Sequence, residues 1–258
     1  NPVIFGAFGV YESIQLFRGV TFLLDDHLER LAESAAAIEL ELPVDLAAIA
    51  AWTHEAIAAN GCQDALIRLF ALGPTVHAGA EVFIWPESPR MFAPEMFEQG
   101  VGAVSYHGER ALPHAKSLNT LVNHLARVRA LQAGEHEGLL VDRLGCITEG
   151  SSSNLFVVQA GTLVTPPAAD VLAGVTQEEV LKLAAQLAIP VERRPLPLSE
   201  LSRWDEAFLT STSRHILPLV RLDGQSIGAG RSGPVTKTLL GAFEALFSDI
   251  IRSVHPSL

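Results

Sequence analysis

Lysine, cysteine and positive charge are all scarce in this chain. With 18 basic against 29 acidic residues the net charge is −11, which excludes a nucleic-acid backbone or an anionic membrane as the partner of a broad basic face. A small anion held in a local pocket stays open. Cys62 and Cys146 are too few for a disulfide framework or a cysteine zinc site. The longest apolar runs, such as 138–141 and 155–158, fall far short of the roughly 20 residues that cross a bilayer. No basic-then-apolar leader opens the sequence, so a reducing, cytoplasmic setting is expected rather than secretion. The nine histidines show no paired-ligand spacing, and no metal is expected.

What is present is globular. Of 258 residues 48% are hydrophobic, enough for one large domain or two modest ones. Alternation predicts a strand over 10–17, turned back by Arg18-Gly19 into 21–24. Leu28, Leu31 and Ala35 at helical spacing predict a helix over 25–37, and 45–59 reads as a second helix ended by Asn60-Gly61. Strands are expected at 66–72, 82–85 and 101–105. Gly108, Pro113 and the lack of a hydrophobic period make 107–115 a linker. Beyond it the spacing from Leu118 to Val128 predicts a helix, followed by two strand pairs turning at 143–145 and 159–161. Residues 176–187 read as a helix opened by the capping box Thr176-x-x-Glu179. A strand at 207–210 and a helix at 236–247 complete an α+β chain of two domains, 1–106 and 116–258.

The scarcity of lysine directs attention to the three that exist. Lys182 lies on the polar side of a predicted amphipathic helix and Lys237 in the closing helix, and both read as solvated charges. Lys116 stands at the end of the linker, where a lysine can be desolvated and its amine freed as a nucleophile. A second feature is the polar run Thr148-Glu149-Gly150-Ser151-Ser152-Ser153-Asn154 between two strands, whose small residues around one carboxylate suit close approach to a bound ring. A third is Leu172-Ala173-Gly174-Val175-Thr176 at a helix start, where free amides can receive a phosphate. Thr210-Ser211-Thr212-Ser213 after a strand adds hydroxyls suited to the same anion. Gly228-Ala-Gly230-Arg-Ser-Gly233 matches a dinucleotide pattern but precedes Pro234 and leaves too little chain for a βαβ unit.

In this order the motifs resemble the class IV (fold-type IV) aminotransferases, enzymes dependent on pyridoxal 5'-phosphate (PLP). The resemblance runs from Gly9-Val-Tyr-Glu-Ser to Gly233-Pro-Val-Thr and includes His27-Leu-Glu-Arg30-Leu31 and Lys116-Ser-Leu-Asn119. It implies a smaller N-terminal domain, a larger PLP-binding domain with the cofactor at the seam, and a homodimer. It also implies an amino acid and a 2-oxo acid as substrates. By the same resemblance Lys116 holds the cofactor as a Schiff base and moves the substrate's Cα proton. Glu149 pairs with the pyridine nitrogen, and Arg30, Val175, Thr176, Ser211 and Thr212 hold the phosphate. Leu172 packs on the ring, and Ser152 lies close by.

The subclass is less sharply marked. Tyr11, Arg68 and Ser213 are the candidates for contacting substrate. Arg68 matches an arginine that branched-chain aminotransferases use for the side-chain carboxylate of glutamate, although the tyrosine two residues before it is Leu66 here. The wording around Lys116 and Glu149 is closer to D-amino acid aminotransferases. Their Arg-x-His carboxylate trap is replaced by Leu72-Gly-Pro-Thr-Val-His77. A transaminase acting on branched-chain amino acids and glutamate is favoured. The alternatives are a D-amino acid aminotransferase, an R-selective amine transaminase, an aminodeoxychorismate lyase and a non-catalytic PLP-binding protein.

Overall fold

The computed structural model describes Val3 and residues 6–75 and 78–254; His77 lies outside them. The chain divides into two compact units. The first comprises Asn1–Met91, Leu112–Asn119 and Leu246–Leu258, and the second Phe92–Ala111 and Thr120–Ala245. The expected linker is therefore shared, grouping with the second unit as far as Ala111 and with the first from Leu112.

The first unit carries β1 (Gly9–Phe17), β2 (Val20–Thr21), α1 (Leu24–Ala37), α2 (Leu46–Asn60), β3 (Ala65–Leu72) and β4 (Glu81–Glu87). Its four strands form an antiparallel sheet in the order β2-β1-β3-β4. The inward residues of β1 and β3, among them Val10, Leu69 and Ala71, pack with Leu28, Leu31 and Ala35 of α1 and Ile49 of α2. Burying each large aliphatic side chain is worth about 1.5–3 kcal/mol. α2 starts where Asp45 accepts the Ala48 amide at 2.8 Å and ends at Gly61, whose φ of 60° suits glycine. The strand expected at 21–24 is cut short because Leu23 takes a left-handed φ of 54° and the helix begins at Leu24.

The second unit carries α3 (Pro94–Gln99), β5 (Val101–His107), α4 (Leu121–Gln132), β6 (Glu137–Val141), β7 (Cys146–Gly150), β8 (Asn154–Gln159), β9 (Thr162–Thr165), α5 (Val175–Gln186), β10 (Val191–Arg193), β11 (Leu196–Pro197), β12 (Glu206–Ser211), β13 (His215–Leu222) and β14 (Gln225–Ser226). The final helix α6 (Pro234–Val254) contributes its residues from Leu246 onward to the first unit. The strands run in the order β10-β9-β8-β12-β13-β5-β6-β7-β11, with β14 on β13. β5 pairs in parallel with β6, a pairing that requires a long crossover. Lys116 lies in that crossover.

The helix after the linker begins at Leu121, not Leu118, because residues 116–118 are drawn out beside β1. The Tyr11 amide donates to the Lys116 carbonyl at 3.0 Å, and the Leu118 amide to the Gly9 carbonyl at 2.9 Å. The capping box expected at Thr176 and Glu179 does not form, and only the backward half of such a motif is present, two residues earlier. Gly174 precedes the first turn of α5 and its amide donates to the Gln177 carboxamide at 3.4 Å. Glu179 instead accepts from Lys182 at 2.5 Å, so that lysine is paired.

α4 lies very close to β6. It buries only Ala126 and Ala130, and a Cβ added at Gly138 would collide with the Ala126 carbonyl oxygen. Backbone cannot yield as a flexible side chain does, so Gly138→Ala should destabilise the protein by about 1–3 kcal/mol. The measurement is a lowered urea midpoint at unchanged m; an unchanged midpoint would show that the helix can retreat without loss.

Candidate active site

In the first unit the site residues gather around β1. Glu12 points to the inner face, is fully buried, and accepts from Arg30 Nε at 2.7 Å and Nη2 at 2.8 Å. His27 Nδ1 lies 2.8 Å from the same carboxylate. Burial alone would raise the Glu12 carboxyl, but Arg30 and His27 outweigh it and hold the group well below the usual carboxylate range. Burial pushes His27 down despite the pull of Glu12. Arg30 is thus held firmly on α1 by a two-pronged bond.

Lys116 is fixed through its main chain. Its carbonyl accepts from Tyr11, and its amide donates to Ser34 Oγ at 3.0 Å. Its side chain is left to reach across the outer face of β1, where Nζ lies 4.8 Å from the centre of the Tyr11 ring. Tyr11 stacks on Phe70 at 5.6 Å and Phe70 on Trp85 at 5.1 Å. Arg68 shares that face. It donates through Nη1 to Ser13 Oγ at 2.6 Å and through Nε to Glu87 at 2.9 Å.

In the second unit Glu149, near the end of β7, is 5% exposed. One carboxylate oxygen accepts from Arg110 at 3.2 Å and the other from the Leu172 amide at 3.3 Å. A carboxylate accepts hydrogen bonds on both oxygens, the chemistry that a protonated ring nitrogen requires. Asn154 gathers the neighbouring elements. Its side chain donates to the Leu172 carbonyl at 2.8 Å, it pairs in register with Thr210, and a Cβ on Gly174 would collide with its Oδ1. The helix start at Val175-Thr176 and the strand end at Thr210-Ser211 are therefore both tied to one residue. Thr212 and Ser213 follow in the turn between β12 and β13.

Ser152 and Ser211 are joined by Arg214, which donates to both hydroxyls and to Glu137. Glu137 is fully buried, and Arg214 and the serine hydroxyls hold it below its usual range against the effect of burial. Burial, then Arg214, pushes the neighbouring His136 down to about 4. Sequence reasoning did not single out Glu12, His27, Ser34, Arg110, Glu137 or Arg214. A carboxylate at an inward position of an alternating strand was a readable sign for Glu12, since a buried charge needs a partner. Arg110 lay in an aperiodic stretch with no such sign.

This chemistry fits a phosphorylated cofactor with a basic ring nitrogen. The start of α5 has no side-chain cap, Gly174 leaves room only for backbone, and the Thr210 hydroxyl is buried without a partner among the described residues. The Amino-transferase class IV profile matches residues 9–222, and the chain belongs to that family. It is accordingly a PLP-dependent aminotransferase.

Individual relatives show how close the match is. The chain is 33% identical to the D-alanine aminotransferase of Bacillus licheniformis over 256 residues, covering 95% of this chain and 90% of that one. It is 32% identical to the branched-chain-amino-acid aminotransferase of Escherichia coli strain K12 over 260 residues, 93% of this chain and 84% of the relative. A crystal structure of the Escherichia coli branched-chain enzyme superposes with a TM-score of 0.88 at 29% identity, covering 95% and 87% of the two chains. Another branched-chain amino acid aminotransferase, crystallised with pyridoxamine 5'-phosphate, gives a TM-score of 0.86 at 25% identity, covering 93% and 85%.

The buried ion pairs set a pH dependence with one sign. Unfolded histidine takes up a proton below about pH 6.5, whereas folded His136 does so only near 4, so stability falls as pH drops through that interval. Glu12 and Glu137, held below 4.5 when folded, add stability above 4.5 that is lost on further acidification. The urea midpoint should therefore fall steadily from pH 7 to pH 4, and His136→Gln should flatten the upper part of the fall. A midpoint independent of pH over that range would contradict the assignment.

Proposed function

We propose that this chain moves an amino group between a branched-chain amino acid or glutamate and a 2-oxo acid, as a cytoplasmic homodimer, with Lys116 as its catalytic residue. The observation that carries the reading is the setting of Lys116. Its backbone is pinned on both sides while its amine is directed over the Tyr11 ring. A pinned pivot with a free amine suits a group that must bind a cofactor aldehyde and then act as a base.

When bound, PLP supplies an electron sink for the charge left behind when the substrate's Cα proton departs. Lys116 Nζ is the group that takes that proton and gives it back. Glu149 is the residue that would pair with the pyridine nitrogen, and its burial with Arg110 and the Leu172 amide on its two oxygens supports this. Val175, Thr176, Ser211 and Thr212 would hold the phosphate, together with Arg30. Ser152 and Leu172 would line the same cofactor, and Ser213 would meet the substrate. The free thiols of Cys62 and Cys146 are in keeping with a reducing compartment. No helix among the described residues is long and apolar enough to cross a membrane.

Arg68 is proposed to receive the side-chain carboxylate of glutamate. Its present partner Glu87 has a side chain 42% exposed against 18% for Arg68, so the pair is open to water on its carboxylate side. An incoming carboxylate can therefore replace it. A D-amino acid substrate is the second reading, favoured by the Glu149-Gly-Ser-Ser-Ser-Asn run and by the Bacillus licheniformis relative.

The deciding experiment records the absorbance of the PLP-loaded protein before and after L-glutamate, L-leucine, D-alanine and R-phenylethylamine are added separately. A change with L-leucine and L-glutamate supports the proposal. A change with D-alanine alone would transfer it to the second reading, and no change with any amine would leave a lyase or a binding protein. Lys116→Ala should abolish both the absorbance of the covalently bound cofactor and turnover. Arg68→Ala should raise KM for L-glutamate about tenfold or more while sparing L-leucine, as expected for one lost charge-assisted hydrogen bond. Equal effects on both amino acids would remove that role.

A further inference from the structure

Arg214 sits in the three-residue turn between β12 and β13, which closes where Ser211 pairs with His215. Turn residues ordinarily face water, yet Arg214 is only 6% exposed. Its Nε donates to Ser211 Oγ at 2.9 Å. Nη1 donates to Glu137 at 2.9 Å and lies 3.2 Å from His136 Nε2. Nη2 donates to the carbonyl and hydroxyl oxygens of Ser152 at 2.9 and 2.7 Å. A guanidinium has five N–H groups; four of them donate to Ser211, Glu137 and Ser152, and Nη1 also faces His136 Nε2. Arg214 is therefore committed to the protein and turned away from a substrate carboxylate, despite standing next to Ser213.

The two serines it holds are left in different states. The Ser152 hydroxyl accepts from Arg214 and donates to Glu137 at 3.3 Å, so its single proton is spent inside the protein. The Ser211 hydroxyl also accepts from Arg214, but its own proton has no acceptor among the described residues. With a lone pair committed to the guanidinium, that O–H is turned away from Arg214 and is ready to donate elsewhere.

We propose that Arg214 is a positioning residue for the cofactor phosphate, acting through Ser211. It fixes the turn against the buried Glu137 and orients the Ser211 hydroxyl as a donor to a phosphate oxygen. Ser152, with its proton already used, braces the turn and gives no proton to the cofactor. The proposal rests on the PLP reading of the site above.

The test compares PLP with pyridoxal, which lacks the phosphate, in equilibrium titrations read by cofactor absorbance. Arg214→Lys keeps a charge beside Glu137 and removes the Nε donor to Ser211. It should bind PLP about tenfold more weakly, as should Ser211→Ala, and the double variant should be no weaker than either. Pyridoxal should bind all of them as it binds the unaltered protein. Unchanged PLP affinity in Arg214→Lys would overturn the proposal. So would equal losses for PLP and pyridoxal, which would indicate a general collapse of the turn, or losses that add in the double variant. Should Arg214→Lys fail to fold, Arg214→Gln with Glu137→Gln removes both charges together and carries the same expected ratio. If the unaltered protein takes up neither compound, the cofactor reading fails and this proposal with it.

Discussion

A carboxylate removed from water inside a sheet persists as a charge only if a cation and several donors go with it. Glu12 in the first unit and Glu137 in the second meet that requirement. In the first, Glu12 on β1 is satisfied by Arg30 and His27 from α1, which binds the helix to the sheet at one defined register. In the second, Glu137 at the start of β6 is satisfied by Arg214 and by serines from the turn after β7. Apolar packing would tolerate small slips of these elements, whereas a buried ion pair does not. Each pair also includes or adjoins residues proposed to hold the cofactor, so the electrostatic demand that orders the core would order the proposed site as well.

Much of the fold was legible because it follows from local rules. Asp45 and Asn60-Gly61 marked both ends of α2, and alternation marked β1 and β3. The two strand pairs turning near residues 144 and 160 were visible from their Gly-containing turns. What could not be read locally depended on distant partners. The start of α4 moved because residues 116–118 pair with β1, which is far away in sequence. The start of α5 moved because Gln177, not Glu179, reaches back to the N-terminal amide.

The same division holds for the candidate site. Lys116, Glu149 and the helix start at Val175 stood out by residue type, spacing and family likeness. Their supports did not, because a supporting residue is defined by geometry alone. Arg110 is an ordinary arginine in an aperiodic segment until it is found beside Glu149. Arg214 is an ordinary turn arginine until its bonds to Ser211, Glu137 and Ser152 are traced. Arg30 was visible only through the family, and the structure adds the physical reason that it stays in place, namely Glu12 beneath it.

The attachment of Lys116 has a mechanical consequence. Held by carbonyl and amide alike, the residue is a lever whose fulcrum belongs to the sheet and whose arm does not. In the proposed role of Lys116, the travel between holding a cofactor and handling a proton would come from rotations about the side chain's own bonds, which are fast, rather than from loop rearrangement, which is slower. The resting place on the Tyr11 ring gives that arm a defined parking position on the aromatic face.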